Sequence, residues 1–505
     1  MTKFMAGWLG GEEGESSAKL GSSCRETSAH WLWFSAFSIA SIEPPCLPSN
    51  AGQNRPHIMN RLLFTAALTL SASLLPAENW SNWRGPLHNG SSPEKNLPAT
   101  FSKTENIKWS VALPGASAAT PVIWGDKVFV TAADMASKKQ YALCLDRKTG
   151  KELWRSEISD FASDGQGSNS CSPSPVTDGK LVVFFYGTGD LVAFDFAGKK
   201  IWDRNIGPFA FLWTFSSSPL LDDGRLIMQV LQRDTAVSGR GKPDGNESFL
   251  LAIDPKTGKD QWRQVRACEA KSEALEAFST PVPFTHNGRK EFIIVGGDCI
   301  TGHEPATGKE LWRWGTWNPT HITHWRLVPS PTIGAGVILA CGPKGAPVYA
   351  VKAGGSGALN NKSLAWQSHV QSTEDATTAA PSLNERDLTT DVPTPLFYDG
   401  KFYVLNGGKK KLLCVNPADG KVIWSGDLGG KSVFQCSPTA ADGKIYMMNF
   451  DGELSVVHAG GTEFNRLHTA NFKDEGDATR LRSSVAISQG NLYIRTGTKL
   501  FCVGK

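Results

Sequence analysis

The sequence predicts an all-β fold in which eight four-stranded antiparallel sheets form the blades of a β-propeller. Three observations indicate this fold. A short turn pattern followed by Trp recurs at a period of roughly 50 residues. Seven complete units of four short strands follow one another from residue 119. An eighth unit has only three strands, and the lone strand at residues 105–113 supplies its missing fourth, so that the ring closes.

Each copy of the repeat is a tight hairpin followed by a strand that carries Trp. The copies are Asp146–Trp154, Asp254–Trp262, Glu304–Trp312 and Asn416–Trp424, with a shorter one at Asp195–Trp202. The leading Asp or Asn can accept hydrogen bonds from backbone N–H groups of the turn, and the Gly can take a positive φ. The apolar residues before the turn and the Trp after it therefore belong to two antiparallel strands.

The remaining strands of a unit are defined by its beginning and by a Gly turn. Each complete unit begins with a small residue and Pro: Thr120-Pro121, Ser174-Pro175, Ser218-Pro219, Thr280-Pro281, Ser330-Pro331, Thr394-Pro395 and Ser437-Pro438. The eighth begins at Ser483-Ser484. A first strand, a turn such as Asp223-Gly224 and a more apolar second strand follow. The strand-ending aromatics are Trp154, Trp202, Trp262, Trp312, Trp366, Trp424 and, less clearly, Phe464, and Trp109 lies on the lone strand.

The residue pattern in the first part of the chain predicts that the protein is exported. Met59-Asn60-Arg61 precedes the apolar run 62–75, and Pro76-Ala77 precedes polar residues, which is the layout of a signal peptide over 59–77. Residues 1–58 then precede the expected translation start, or form a disordered extension. An N-terminal segment, 78–104, leads into the propeller at 105–505. No Cys follows the apolar run, so a lipid anchor is not expected, and the mature chain is expected to be periplasmic or extracellular.

Composition excludes several classes of partner. The net charge is +4 over 505 residues, and no run of Lys and Arg suggests nucleic acid or an anionic membrane surface. The cysteines form no CxxC or adjacent pair, so metal ligation by Cys is not expected. Cys144, Cys414 and Cys502 share one repeat position that Ala193 and Ala252 fill elsewhere, which indicates a small buried residue.

The pattern Ala/Cys-x-Asp-x-x-Thr-Gly-x-x-x-Trp, with its Ser-Pro start, resembles the pyrroloquinoline-quinone-like (PQQ-like) propeller repeat over 105–505. The opening Asn82-Trp83-Arg84-Gly85-Pro86 with Asn89-Gly90 resembles exported bacterial members of that group. The resemblance implies eight blades with Trp residues packed between them. It leaves the function open, because one scaffold serves several functions.

The resemblance implies two classes of function. Quinone-dependent alcohol dehydrogenases of this group have adjacent cysteines, a Ca²⁺ ligand set and a catalytic Asp, and no adjacent cysteines occur here. Outer-membrane assembly scaffolds are usually lipid-anchored. Kinase motifs are absent. The preferred interpretation is a non-catalytic, monomeric binding or scaffold protein for a protein or small polar ligand, with no cofactor and no catalytic residue. The alternative is an oxidoreductase with PQQ and Ca²⁺.

Strand alternation predicts which face binds. Thr-Gly hairpins and first-to-second strand turns share one face, and the longer second-to-third loops and inter-blade crossings share the other. Insertions at 230–247, 263–278 and 367–392 lie on the second face. The candidate ligand or partner residues there are Trp317, His321, His324, Trp325, Arg326 and Arg482. His321 and His324 have metal-ligand spacing, but without a third ligand no metal is predicted.

Overall fold

The structure is a computed structural model that describes residues 79–161, 170–315, 317–370 and 382–505. All of them lie within one compact unit, Ser73–Lys505. The predicted extension and signal peptide, and part of the insertion at 367–392, lie outside the described residues. In these ranges the only helices are two 3-10 turns, Ser272–Leu275 and Asn361–Ser363. No described helix is long and apolar enough to cross a membrane.

The strands form eight sheets, each with its first strand innermost. The N-terminal strand is β1 (Ile107–Ala112). Blade 1 contains β2 (Val122–Trp124), β3 (Lys127–Asp134), β4 (Lys139–Asp146) and β5 (Glu152–Asp160). Blade 2 contains β6 (Val176–Thr177), β7 (Leu181–Phe185), β8 (Asp190–Asp195) and β9 (Lys200–Asn205). Blade 3 contains β10 (Leu220–Asp222), β11 (Arg225–Val230), β12 (Phe249–Ile253) and β13 (Asp260–Val265).

Blades 4 to 6 follow the same order. Blade 4 contains β14 (Val282–His286), β15 (Arg289–Gly296), β16 (Cys299–His303) and β17 (Glu310–Trp314). Blade 5 contains β18 (Thr332–Gly334), β19 (Val337–Cys341), β20 (Val348–Lys352) and β22 (Leu364–Gln367). The short β21 (Gly357–Ala358) leaves blade 5 and pairs in parallel with β17, so blade 4 has a fifth strand. Blade 6 contains β23 (Leu396–Tyr398), β24 (Lys401–Asn406), β25 (Lys411–Val415) and β26 (Val422–Asp427).

The last two blades complete the ring. Blade 7 contains β27 (Thr439–Ala441), β28 (Lys444–Met448), β29 (Glu453–His458) and β30 (Arg466–Asn471). Blade 8 contains β31 (Ala486–Ser488), β32 (Asn491–Arg495) and β33 (Lys499–Val503), and β1 pairs antiparallel with β33 as its fourth strand. Trp109 lies opposite Cys502 in this pairing. The predicted eight blades, and the closure of the last by the N-terminal strand, are confirmed.

Trp residues join six of the eight blades to the next one. The indole N–H of Trp109 donates to the carbonyl oxygen of Arg147 at 2.8 Å, which fixes blade 8 to the blade 1 hairpin. The equivalent bonds run from Trp154 to Phe196, Trp202 to Pro255, Trp262 to Pro305, Trp366 to Pro417 and Trp424 to Gly460, at 2.7 to 3.3 Å. The packing of Trp residues between blades is therefore confirmed.

The small residue of the repeat lies directly across from the Trp. Cys144 is opposite Trp154, Cys414 is opposite Trp424, and both thiols are fully buried. A larger side chain in that position would compete for space with the indole and the neighbouring blade. This register explains why small residues such as Cys and Ala occupy that position.

Two blades lack the Trp bond to the next blade. In blade 7 the position of the Trp is taken by His468, which lies opposite Val456, so the prediction that Phe464 ends this strand is wrong. Phe464 belongs to the preceding hairpin and packs on Trp424, with ring centroids 5.8 Å apart. In blade 4, Trp312 donates to Glu291 of its own blade at 2.7 Å, because blade 5 has no Thr-Gly hairpin to receive it.

The N-terminal segment crosses the axis on the face of the hairpins, which we call the turn face. Trp80 pairs with Ile123 of blade 1, and the amide of Thr177 in blade 2 donates to the carbonyl of Ser81. Further along the segment, the carbonyl oxygen of Asn89 accepts from Phe397 in blade 6, opposite blade 2, and Gly90 and Ser92 bond the backbone of Ala440 in blade 7. The segment therefore spans the ring and closes its central opening from the turn face.

Candidate functional site

A cavity of about 390 Å³ lies on the propeller axis and opens on the other face, which we call the crossing face. Residues at the starts of the first strands line it together with inter-blade crossings. Its cationic and aromatic residues are Arg326, Arg480, Arg482, Trp83, Trp213, Phe278 and Phe450. No Asp or Glu belongs to the described lining. We refer to this cavity as the axial pocket.

The wall of the axial pocket is a ring of hydroxyl residues. The backbone N–H of the hydroxyl residue in one blade donates to the hydroxyl oxygen in the next. Such bonds, of 2.8 to 3.1 Å, run in order through Thr120, Ser174, Ser218, Thr280, Ser330, Thr394, Ser437 and Ser484. The Ser-Pro and Thr-Pro starts of the repeat thus form a rigid polar collar around the axis.

Three arginines surround the opening, each next to an aromatic ring. The Arg326 guanidinium lies 5.8 Å from the Trp213 ring centroid. Arg480 and Arg482 lie 5.8 and 5.1 Å from the Phe450 ring. Such stacking holds a guanidinium in place while leaving its edge available for hydrogen bonds.

Polar neighbours orient two of these arginines further. Arg482 Nε donates to Gln435 Oε1 at 2.8 Å. Arg326 lies 3.8 Å from a Glu273 oxygen and 3.9 Å from an Asp391 oxygen, which are long ion-pair distances. Because Arg326 and the other two arginines lie on different crossings, positive charge reaches the pocket from two sides.

Trp83 forms the floor of the axial pocket. It belongs to the N-terminal segment and lies among the pocket-lining residues. Arg84 is beneath it, with its guanidinium carbon 5.4 Å from the Trp83 ring centroid. The axial pocket is therefore closed at one end and does not run through the ring as a channel. The N-terminal segment forms the closed end.

The six residues proposed from the sequence do not form one cluster. Arg326 and Arg482 line the axial pocket. Trp317 and Trp325 are 1% and 7% exposed and pack in the core of blades 4 and 5. Asp298 and Asn318, bonded at 2.6 Å, lie beside Trp317, and burial raises the pKa of Asp298 to about 6.

The two histidines lie apart from the axial pocket. His321 has a positive φ of 50° in the crossing after blade 4, and its backbone N–H donates to Asn318. His324 is exposed, and its carbonyl accepts a bond from Lys344. Among the described residues, no three His, Cys, Asp or Glu side chains meet in a group that could hold a metal ion.

Sequence reasoning missed the hydroxyl ring, Trp83, Trp213 and Phe450 as pocket residues. The ring could have been found, since a hydroxyl stands at the same point of every unit, followed by Pro in seven units and by Val485 in the eighth. The aromatic residues come from unlike loops, and no repeat pattern marks them.

The described lining does not fit a calcium–quinone centre. A protein-bound Ca²⁺ requires several oxygen ligands, usually including carboxylates, and the lining offers hydroxyls and arginines instead. The arrangement is instead suited to an anion with an apolar body. Guanidinium groups would bind the charge, and aromatic rings would contact the body.

The repeat matches that of a known protein family. The profile of the family described as outer membrane protein assembly factor BamB (PQQ_2) matches residues 95–226, 138–372 and 357–504. The chain belongs to this family. These matches cover every blade of the ring, as the repeat pattern requires.

Individual relatives are distant. A tetrathionate hydrolase of Acidithiobacillus ferrooxidans is 22% identical over 403 residues, which cover 77% of this chain and 62% of the relative. The outer membrane protein assembly factor BamB of Burkholderia pseudomallei is 27% identical over 153 residues, 30% of this chain and 31% of the relative. The chain thus spans less than two thirds of either relative.

A solved structure shows the same architecture. A europium-containing methanol dehydrogenase superposes with a TM-score of 0.62 at 12% identity, covering 83% of this chain and 90% of that one. At such low identity the likeness concerns the fold alone.

Proposed function

We propose that this chain is an exported binding or scaffold propeller whose axial pocket binds a carboxylate-bearing ligand or partner group. The observation that carries the proposal is the lining itself. Arg326, Arg480 and Arg482 line one cavity without a described carboxylate in its wall. Several guanidinium groups converging on a concave site favour anions.

The geometry suits recognition of carboxylates in particular. A guanidinium offers two parallel N–H donors that match the two oxygens of a carboxylate. Trp213 and Phe450 hold the arginines, so less conformational entropy is lost when the ligand binds. The volume of about 390 Å³ lies within the range of small-ligand pockets.

The scaffold role is supported by the family and by the sequence. The family description names an assembly factor for outer membrane proteins, so a protein partner that presents an acidic group is consistent with membership. The signal-peptide pattern at 59–77 is consistent with export. Neither the ligand nor the absence of catalysis follows from the family alone.

Calorimetry with a planar dicarboxylate tests the proposal. Terephthalate should bind the purified protein, and its neutral dimethyl ester should not. Arg482→Gln and Arg326→Gln should each weaken terephthalate binding about tenfold, since each loses a charge-assisted hydrogen bond. Arg155→Gln is the matched control, because Arg155 lies on the outer strand of blade 1 and pairs with Glu152. Equal affinities for diacid and ester, or an equal effect of Arg155→Gln, would refute the assignment.

The oxidoreductase alternative is tested in the same preparation. PQQ is added with and without Ca²⁺, and alcohol-dependent reduction of a dye is followed. Stoichiometric PQQ binding that requires Ca²⁺, together with dye reduction, would replace the binding-protein interpretation.

A further inference from the structure

Arg84 is a buried cation close to the propeller axis. It is 1% exposed. Its Nη1 donates to the carbonyl oxygen of Pro438 at 3.0 Å, and its Nη2 donates to those of Asn89 and Pro395 at 3.0 and 2.8 Å. Both terminal nitrogens therefore face carbonyl oxygens, which are dipoles and do not neutralise the charge.

The charge of Arg84 has no counter-charge in the described part of the chain. None of the ion pairs of the described residues includes Arg84. Burial lowers the pKa of Arg84 to about 9, so the group stays charged at neutral pH. The neighbouring Cys436 thiol stays neutral, because burial raises its pKa to about 12. A buried, unneutralised cation is costly, and an ion partner is the usual remedy.

The third nitrogen of the guanidinium group lacks a partner. Arg84 Nε is buried and makes no hydrogen bond. Arg84 also lines a small cavity of about 10 Å³ with Asn82, Trp83, His88 and Thr280. This volume has room for one water-sized species. The cavity adjoins the floor of the axial pocket, because both are lined by Trp83.

We propose that this cavity is a binding site for a single monovalent inorganic anion of the chloride class. The anion accepts the Nε–H of Arg84 and neutralises its charge. His88 is a second donor, since a neutral imidazole carries one N–H. Apolar walls from Pro219, Leu220 and Val282 disfavour strongly hydrated polyvalent anions such as sulfate.

A bound anion explains features that a buried water would leave unexplained. A water could accept the Nε–H bond, but it would not compensate the charge. Arg84 bonds blades 6 and 7, and blades 3 and 4 form the other wall of the cavity, so an anion there stabilises the base of the axial pocket. The site is independent of the ligand proposed for the axial pocket above it.

Anion exchange on the full-length protein tests the site. The melting temperature is measured in sodium chloride, sodium bromide and sodium gluconate at equal ionic strength. Binding to the folded state alone should raise it by about 2–3 °C in either halide at saturation. Crystals grown in bromide should show an anomalous peak within hydrogen-bond distance of Arg84 Nε.

Two variants separate this site from general salt effects. Arg84→Gln should lose the difference between halide and gluconate. Arg266→Gln should keep it, since Arg266 is also buried but all its guanidinium nitrogens have partners. Equal wild-type melting temperatures in chloride and gluconate, or a bromide-free peak that refines as water, would overturn the proposal. The wild-type measurements decide the matter even if Arg84→Gln does not fold.

Discussion

At the scale of single residues, the Gly of the Thr-Gly hairpin is required both by its positive φ and by a Trp ring that lies close to it. Gly258 has a φ of +72°, and a Cβ added to it would lie 2.7 Å from the ring of Trp202 in the preceding blade. Gly224 has the same φ of +72°, but no atom lies within 4 Å of its added Cβ. Comparing the two positions therefore separates the effect of backbone strain from the effect of the close Trp ring.

Ala substitution at these two glycines should give unequal losses of stability. Gly224→Ala should cost about 1 kcal/mol, from positive φ alone. Gly258→Ala should cost about 1–3 kcal/mol more, because the added methyl group displaces the Trp202 ring. Urea unfolding of both variants measures the difference. Equal losses would mean that the indole does not pack on the hairpin as described.

The buried His303 makes stability depend on pH. Its Nδ1 lies 3.0 Å from the Gly308 carbonyl and its Nε2 lies 2.8 Å from Thr301 Oγ1. Burial, and then the charge of Arg266, lowers its pKa from 6.5 to about 4. Between these values the unfolded chain binds more protons than the folded one. The contribution of His303 is therefore complete above pH 6.5 and is lost as the pH falls towards 4.

Comparison of wild type with His303→Gln isolates this effect. The advantage of the wild type in free energy of unfolding should shrink by about 2–3 kcal/mol between pH 7 and pH 4. Denaturant titrations at both pH values provide the measurement. A constant difference would show that His303 is not held neutral in the folded protein.

At the scale of secondary-structure elements, β1 is what closes the ring. It supplies the fourth strand of blade 8, and Trp109, 8% exposed, docks on the blade 1 hairpin. Trp109→Ala should lower the free energy of unfolding by about 3–5 kcal/mol. Leu153→Ala, at a site 44% exposed on β5, is the control and should change little. An unchanged melting temperature for Trp109→Ala would count against the shared blade.

The elements could be predicted because the repeat encodes them. The five hairpin copies predicted the third and fourth strands, and the Ser-Pro starts predicted the first strand. The prediction failed where a unit loses the pattern, as with Phe464 and His468 in blade 7. β21 could not be foreseen either, because its pairing with β17 depends on the path of one irregular connection.

The site was less predictable than the elements for a physical reason. Trp317 and Trp325 belong to a crossing of the predicted face, yet their side chains fill the core beneath that crossing. Arg326, one residue further, lines the axial pocket. Without a repeat in these crossings, the sequence does not show which side chains point inward. The N-terminal segment, which provides Trp83, has no counterpart in the repeat at all.

At the scale of the whole molecule, the ring and the N-terminal segment leave the axial pocket open on one face only. The turn face is closed by the N-terminal segment, and the crossing face retains the axial pocket with Arg326, Arg480 and Arg482. Because these charges lie at the mouth, ligand affinity should fall as salt rises from low to physiological ionic strength. Calorimetric titration of terephthalate over that range checks this expectation, and a salt-independent affinity would contradict it.

Hydrogen–deuterium exchange of the full-length protein with and without terephthalate tests the location of binding most directly. Peptides of the crossing face that contain Trp213, Arg326, Gln435 and Arg482 should exchange more slowly in the complex, while the Thr-Gly hairpins should not change. Protection confined to the hairpins, with no change around Arg326 and Arg482, would place the binding surface on the opposite face and contradict the account.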